Sequence, residues 1–106
     1  MKSKIQILLI TACMILSAAA VHAADGKALY DANCASCHGK DGSGNTPMGK
    51  KFGLKNYQDA GVQAALDDAT ATKVIQDGKD KMKAFKDKLS ADDIKAVIAH
   101  IRTFKK

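Results

Sequence analysis

Cys34-Ala35-Ser36-Cys37-His38 sets two thiols three residues apart and puts an imidazole directly after the second. That order, C-x-x-C-H, is the pattern of c-type haem attachment. The spacing has a mechanical reason. From one turn of backbone two sulfurs can reach the two vinyl groups of a protoporphyrin, each forming a thioether, and the next residue then lies beneath the iron with an axial nitrogen to offer. Cys34 and Cys37 are therefore the candidate covalent attachment points, and His38 the candidate iron ligand. The same residues admit other chemistry. A dithiol redox pair needs alternating strands and helices around it, and the chain has no convincing strand run. A structural zinc site needs four Cys or His ligands at finger-like spacing; past the amino-terminal segment only Cys34, Cys37, His38 and His100 are available, with no H-x-x-x-H pair. A chance pentapeptide closing a buried disulfide is the remaining alternative. An export signal upstream and a suitable methionine downstream favour haem.

The second axial ligand decides what such an iron can do. With an open position it binds small molecules, whereas a closed, six-coordinate iron mainly passes electrons. The candidates are Met48, Met82, His100 and several lysines. Met82 is preferred because it sits on an expected loop between helices that can swing across the face opposite His38. Met48 is tethered close to His38 and stays more naturally on the same side. His100, at the edge of an apolar helix stripe, reads as a packed residue. Met82 could also be a flexible gap-filler in a small core. A thioether among Lys79, Lys81, Lys83, Lys86 and Lys88 needs a reason to turn inward, and iron supplies one.

Elements must carry these groups. Lys2 and Lys4 precede an apolar run from Ile5 to Val21, and Val21-His22-Ala23 offers small residues where a signal peptidase reads them. This is the form of a secretory signal. Gln6, Thr11 and Ser17 interrupt the run, and it falls short of the roughly 20 apolar residues of a spanning helix, although an uncleaved anchor is the alternative. Ile10-Thr11-Ala12-Cys13 loosely resembles a lipoprotein cleavage box, but Cys13 lies very early, with apolar sequence after it, and reads as an apolar residue of the signal. Cleavage is expected after Ala23, giving a signal over 1–23 and one domain of about 80 residues over 24–106. Such a chain is marginal unless something adds to its core. Losing Lys2 and Lys4 lowers the formal charge of +6 by two. A modestly basic exported domain suits an acidic protein partner or a membrane surface. Nucleic acid is not expected, because no aromatics interleave with the basic residues.

The mature chain reads as helices and long loops. Asp25 caps a first helix from Gly26 towards Cys34, stacking Gly26, Tyr30 and Cys34 on one face, where Gly26 allows a close crossing. Residues 39–45 are turn chemistry, and 46–54 continue without helical period, holding the chain's single proline, Pro47. Val62, Ala65, Leu66 and Ala69 predict one apolar helix face, and Ala71, Val74, Ile75 and Gly78 a second, out of phase and broken near Asp67-Asp68. Gly78 caps the second helix and residues 79–89 form a loop. Ser90 with Asp93 opens the last helix, whose stripe is Ile94, Val97, Ile98 and Ile101, with Phe104 at its margin. That face is expected to cross the Gly26 and Tyr30 helix.

Over residues 25–104 the chain resembles the small monohaem class I c-type cytochromes. The resemblance rests on Gly26 and Tyr30 ahead of Cys34-Ala35-Ser36-Cys37-His38-Gly39, on Asp77-Gly78-Lys79 leading to Lys81-Met82-Lys83-Ala84-Phe85, and on Leu89-Ser90 before Ala96-Val97-Ile98-Ala99-His100-Ile101-Arg102. It implies an all-α class I cytochrome c fold, about four to five helices wrapped round one covalently attached haem c. It also implies His38 and Met82 as axial ligands and a proline carbonyl, Pro47 or a neighbour, accepting from His38 Nδ1. Two residues depart from the family: Lys83 stands where proline usually follows the ligating Met, adding a potential competing ligand in alkali, and His100 replaces a common aromatic.

Ligation by His and Met raises the potential, and because both stay bound in both oxidation states little rearranges. The expected function is therefore a one-electron carrier, soluble and periplasmic, monomeric and not an enzyme. It would work with redox partner proteins that have acidic docking surfaces and would not stay inserted in a membrane once the signal is cleaved. Lysines 50, 51, 55, 79, 81, 83, 86 and 88 could ring the haem edge and steer such partners, or simply keep the protein soluble. The alternatives are a haem c electron-accepting subunit of a larger exported oxidoreductase and a small-ligand-binding haem protein.

Overall fold

A computed structural model describes residues 24–106; the expected signal and Cys13 lie outside the described residues. Six helical segments follow in order: α1 (Gly26–Asn33), α2 (Ala35–His38), α3 (Pro47–Phe52), α4 (Ala60–Ala65), α5 (Asp68–Asp77) and α6 (Ala91–Arg102). Among the described residues there is no strand, only an isolated bridge between Lys79 and Met82. The count exceeds the expected four to five because α2 is one turn carrying Cys37 and His38, and because α3 lies in a stretch expected to be irregular.

Short helices depend on their ends, since each leaves about four N–H groups without an internal partner. Asp25 accepts from the Ala28 amide at 3.1 Å and opens α1. Asp59 and Asp67 do the same for α4 and α5, so the break at Asp67 is a cap. The hydrogen bonds from Thr70 hold the Asp67 carboxyl below the usual carboxylate range. Ser90 Oγ accepts from Asp93 N at 3.1 Å while Asp93 Oδ2 accepts from Ser90 N at 3.0 Å, a reciprocal capping box. Ser90→Ala is expected to cost about 1 kcal/mol, lowering the thermal midpoint by roughly 4–8 °C in a domain this small; a differential scan checks it.

The core is built where α1 crosses α6. Tyr30, Ile94 and Val97 are the largest fully buried side chains, joined by Ile98, Ile101, Ile75, Phe85 and Leu89. The α6 stripe is therefore buried as its period predicts. A Cβ on Gly26 would run into the Ala96 carbonyl, so only glycine permits this approach. The α5 face also holds, with Ala71 and Ile75 buried. The face predicted from Val62, Ala65, Leu66 and Ala69 holds only in part: Leu66 packs against the core and Val62 is half-buried, but Ala65 and Ala69 are exposed, Ala69 lies in α5, and the buried residue of α4 is Gln63. It turns inward because its side-chain amide satisfies backbone carbonyls there, a gain that hydrophobic periodicity does not register.

Candidate haem site

Cys34 ends α1 and caps α2, so the pentapeptide bends through one tight turn in which Gly39 N donates to Ala35 O at 2.8 Å. The turn is held from three sides. The buried Tyr30 hydroxyl donates to Gly39 O at 2.7 Å; burial, then the neighbouring Cys34 thiol and Tyr57 phenol, raises its pKa, so it stays a donor. Gly44 N donates to His38 O at 2.8 Å. Thr46 Oγ1 donates to Cys37 O at 2.6 Å and accepts from Gly49 N, capping α3 while tying it to the attachment turn. Gly49 lies so close to the Gly44 and Cys37 carbonyls that no side chain fits.

Cys34 and Cys37 are both half-buried and neither is in a disulfide. Burial, then the neighbouring Cys37 sulfur, pushes the Cys34 thiol up to about 11, so it is a protonated thiol at neutral pH. His38 is pushed the other way by burial, which favours its neutral, metal-donating form. Its Nδ1 is buried without a hydrogen-bond partner. The bond expected to the carbonyl of Pro47, the first residue of α3, or of a neighbour is not formed. His38 is instead stacked on Tyr57, with ring centroids 5.3 Å apart.

A cleft of about 300 Å³ opens over the turn, lined by Cys34, Cys37, His38, Met48 and Phe52 together with Met82, Lys83 and Phe85. Behind it a cavity of about 40 Å³ is lined by core residues including Leu66, Val97 and Ile101. Cys34, His38 and Met82 line both. Two thiols, a neutral imidazole, a thioether and an apolar wall are a donor set that fits a covalently held haem. Among the described residues no group of three or more His, Cys, Asp or Glu could hold a metal ion, so the zinc alternative finds no ligand set.

The structure thus brings Cys34, Cys37, His38 and Met82 to one cleft. Met48 lines it too, but is 40% exposed and lies at the start of α3. His100 is elsewhere, packed against Tyr30 and Phe104 with centroids 5.3 and 4.9 Å away, the aromatic role its position suggested. The Met82 loop is pinned at both ends: Lys79 and Met82 exchange backbone hydrogen bonds of 3.0 and 2.9 Å, and Phe85 N donates to Ile75 O at 2.9 Å. A Cβ on Gly78 would meet the Met82 carbonyl region, so this reversal requires glycine, whose φ is +77°. Phe52, Leu54 and Tyr57 were missed as wall residues; lying in a segment without period, they carried no sequence signal beyond being apolar.

Residues 21–101 match the family described as cytochrome C oxidase, cbb3-type, subunit III. The chain is 35% identical over 79 residues to the cbb3-type cytochrome c oxidase subunit FixP of Azorhizobium caulinodans, covering 74% of this chain but only 26% of that protein. It is 37% identical over 79 residues to cytochrome c6 of Microcystis aeruginosa, covering 73% of this chain and 90% of that one. Among solved structures the c-type cytochrome KustC0563 superposes with a TM-score of 0.73 at 37% identity, covering 77% of this chain and 99% of its own.

Proposed function

The chain belongs to the cytochrome c family as a small class I c-type cytochrome, an electron-transfer protein with covalently bound haem c, and from that premise we propose that it is a soluble periplasmic one-electron carrier with His38 and Met82 as axial ligands. The observation that carries the ligand reading is that Cys34, His38 and Met82 line both the open cleft and the cavity behind it. Bound haem supplies the one-electron couple of its iron. The chain's own residues do the rest. Cys34 and Cys37 would hold the ring through thioethers, His38 Nε2 and Met82 Sδ would ligate its iron, and Phe85, Leu66 and Val97 would keep water from the interior side. The pinned turn at Lys79 and Met82 takes over the restraint that proline after the ligating Met provides elsewhere in the family. Lys83 has its ammonium 5.9 Å from the Phe85 ring centroid.

Met82→Ala tests the assignment directly. Ferrous wild-type protein is expected to show little spectral change with carbon monoxide, and the variant a large one, because its iron gains an open position. Equal responses in both would remove Met82 as a ligand.

Export follows from the amino-terminal signal, removed after Ala23 on this reading; among the described residues no helix is long and apolar enough to cross a membrane. Lys81, Lys83 and Lys88 line the cleft, and Lys50, Lys51 and Lys55 are exposed on and after α3. They would steer an acidic redox partner into a brief encounter at the cleft. The rate of electron transfer to an acidic partner is expected to fall roughly tenfold or more as ionic strength rises from about 0.01 to 0.15 M, as the Debye length shrinks from about 30 to 8 Å; a flat stopped-flow rate would remove the steering claim. The second reading, a haem c subunit of a larger oxidoreductase, draws on the match to the oxidase family and FixP. Size-exclusion of the native periplasmic fraction separates the two, since a carrier elutes alone.

A further inference from the structure

A metal-ligating imidazole is oriented by what surrounds it as well as by the metal, and the His38 ring is buried with packing on one side of it. What meets the ring is Tyr57, with planes 29° apart. Tyr57 lies in irregular chain before α4, where backbone groups must find partners one at a time. Its N–H donates to Gly42 O at 2.8 Å. Its carbonyl accepts from Gln63 Nε2 at 2.7 Å. The same nitrogen donates to Ile101 O at 2.8 Å, and Gln63 Oε1 accepts from Arg102 Nη1 at 2.9 Å. The other arm of Arg102 donates to the Leu66 carbonyl and to Asp68 Oδ1. Gln63 is 7% exposed, so its amide is committed to this network, and losing either end strands a buried polar group.

We propose that Gln63 and Arg102 are positioning residues for the haem: Arg102 orients the Gln63 amide, which holds the Tyr57 ring against the His38 imidazole, fixing that ligand's orientation and keeping water off it, and so raising the reduction potential. The inference rests on His38 being an axial ligand. Its direction follows from burial: water admitted beside the ligand favours the more highly charged ferric state and lowers the potential.

The test measures reduction potential by spectroelectrochemistry, the haem-shifted His38 ring signals by NMR, and thermal midpoint, all on haem-loaded protein. Tyr57→Leu removes the ring and Tyr57→Phe keeps it. Gln63→Glu keeps an acceptor for Arg102 but has no N–H for Tyr57, and Asp68→Asn weakens only an ion pair whose Asp68 side chain is 81% exposed. Tyr57→Leu and Gln63→Glu are expected to lower the potential and move the His38 signals, with the double variant no lower than Tyr57→Leu alone. Tyr57→Phe and Asp68→Asn should match wild type. Should Gln63→Glu fail to fold, Arg102→Lys is read in its place and must shift the potential in the same direction. A Gln63 or Arg102 variant that loses thermal stability while potential and His38 signals stay at wild-type values overturns the proposal, as does an unchanged Tyr57→Leu. Wild-type protein without haem-shifted His38 signals would instead overturn the ligand reading beneath it.

Discussion

Cys34→Ala/Cys37→Ala, exported and purified like the wild type, is expected to retain no haem after acid–acetone extraction and to lose most of its helical circular dichroism at 25 °C. Two physical facts set the size of the effect. The cleft of about 300 Å³, with Met82 and Phe85 on its wall, shares Cys34, His38 and Met82 with the cavity that reaches Leu66, Val97 and Ile101, so without the ring the core loses the macrocycle as a packing partner. A domain of about 80 residues buries only roughly 60% of its unfolded surface and has little to spare, and among the described cysteines no disulfide compensates. Against a total stability of about 5–15 kcal/mol for a small domain, losing that packing removes most or all of it. Each single variant should keep one thioether, retain haem through extraction at reduced yield, and melt between wild type and double variant. A double variant with wild-type dichroism and melting would mean that the helices fold without the ring.

The pattern of what the sequence disclosed follows from which forces leave a periodic trace. The α6 stripe, the Gly26 crossing and the break near Asp67-Asp68 were readable because apolar burial recurs at helical spacing and shifts phase at that break, and because Ser90 and Asp25 are of the types that cap. Helix α3 was not. Its buried residue is Gly49, packed on the Gly44 and Cys37 carbonyls, and beside it only Met48 and Phe52 reach the cleft, too few apolar positions to show a period. Its signal lay in punctuation: Thr46 as N-cap, Pro47 at the first position, and Gly53 in a left-handed cap at φ 64°. Gln63 was missed for the converse reason, being polar and buried through hydrogen bonds to carbonyls distant in sequence. That the attachment turn and Met82 would share one cleft was legible because both were singled out by residue type and spacing. The wall between them was not, because any apolar residue of suitable volume would serve.

Gly26→Val is expected to cost about 3 kcal/mol, the upper end of ordinary overpacking, and at roughly 4–8 °C per kcal/mol for a domain this size to lower the thermal midpoint by about 12–24 °C. The sign is not obvious, since replacing glycine within a helix commonly stabilises by up to about 1 kcal/mol. The deciding contact is with backbone. The new Cβ would overlap the Ala96 carbonyl, which belongs to the middle of α6 and cannot swing aside as a side-chain end could. Relief would require α1 and α6 to separate, unpacking Tyr30 from Val97 and drawing the Tyr30 hydroxyl away from Gly39 beside the attachment turn. The damage should therefore reach the site, with a lowered yield of attached haem as well as a lowered melting point. Ala96→Gly should not rescue it, because the carbonyl stays where the methyl was not the obstacle. Gly53 supplies the contrast: it has open space around its Cβ position but φ 64°, so Gly53→Ala carries conformational strain alone, about 1 kcal/mol, and should leave haem yield unchanged. A Gly26→Val protein melting within a few degrees of wild type would show that the two helices can part without loss.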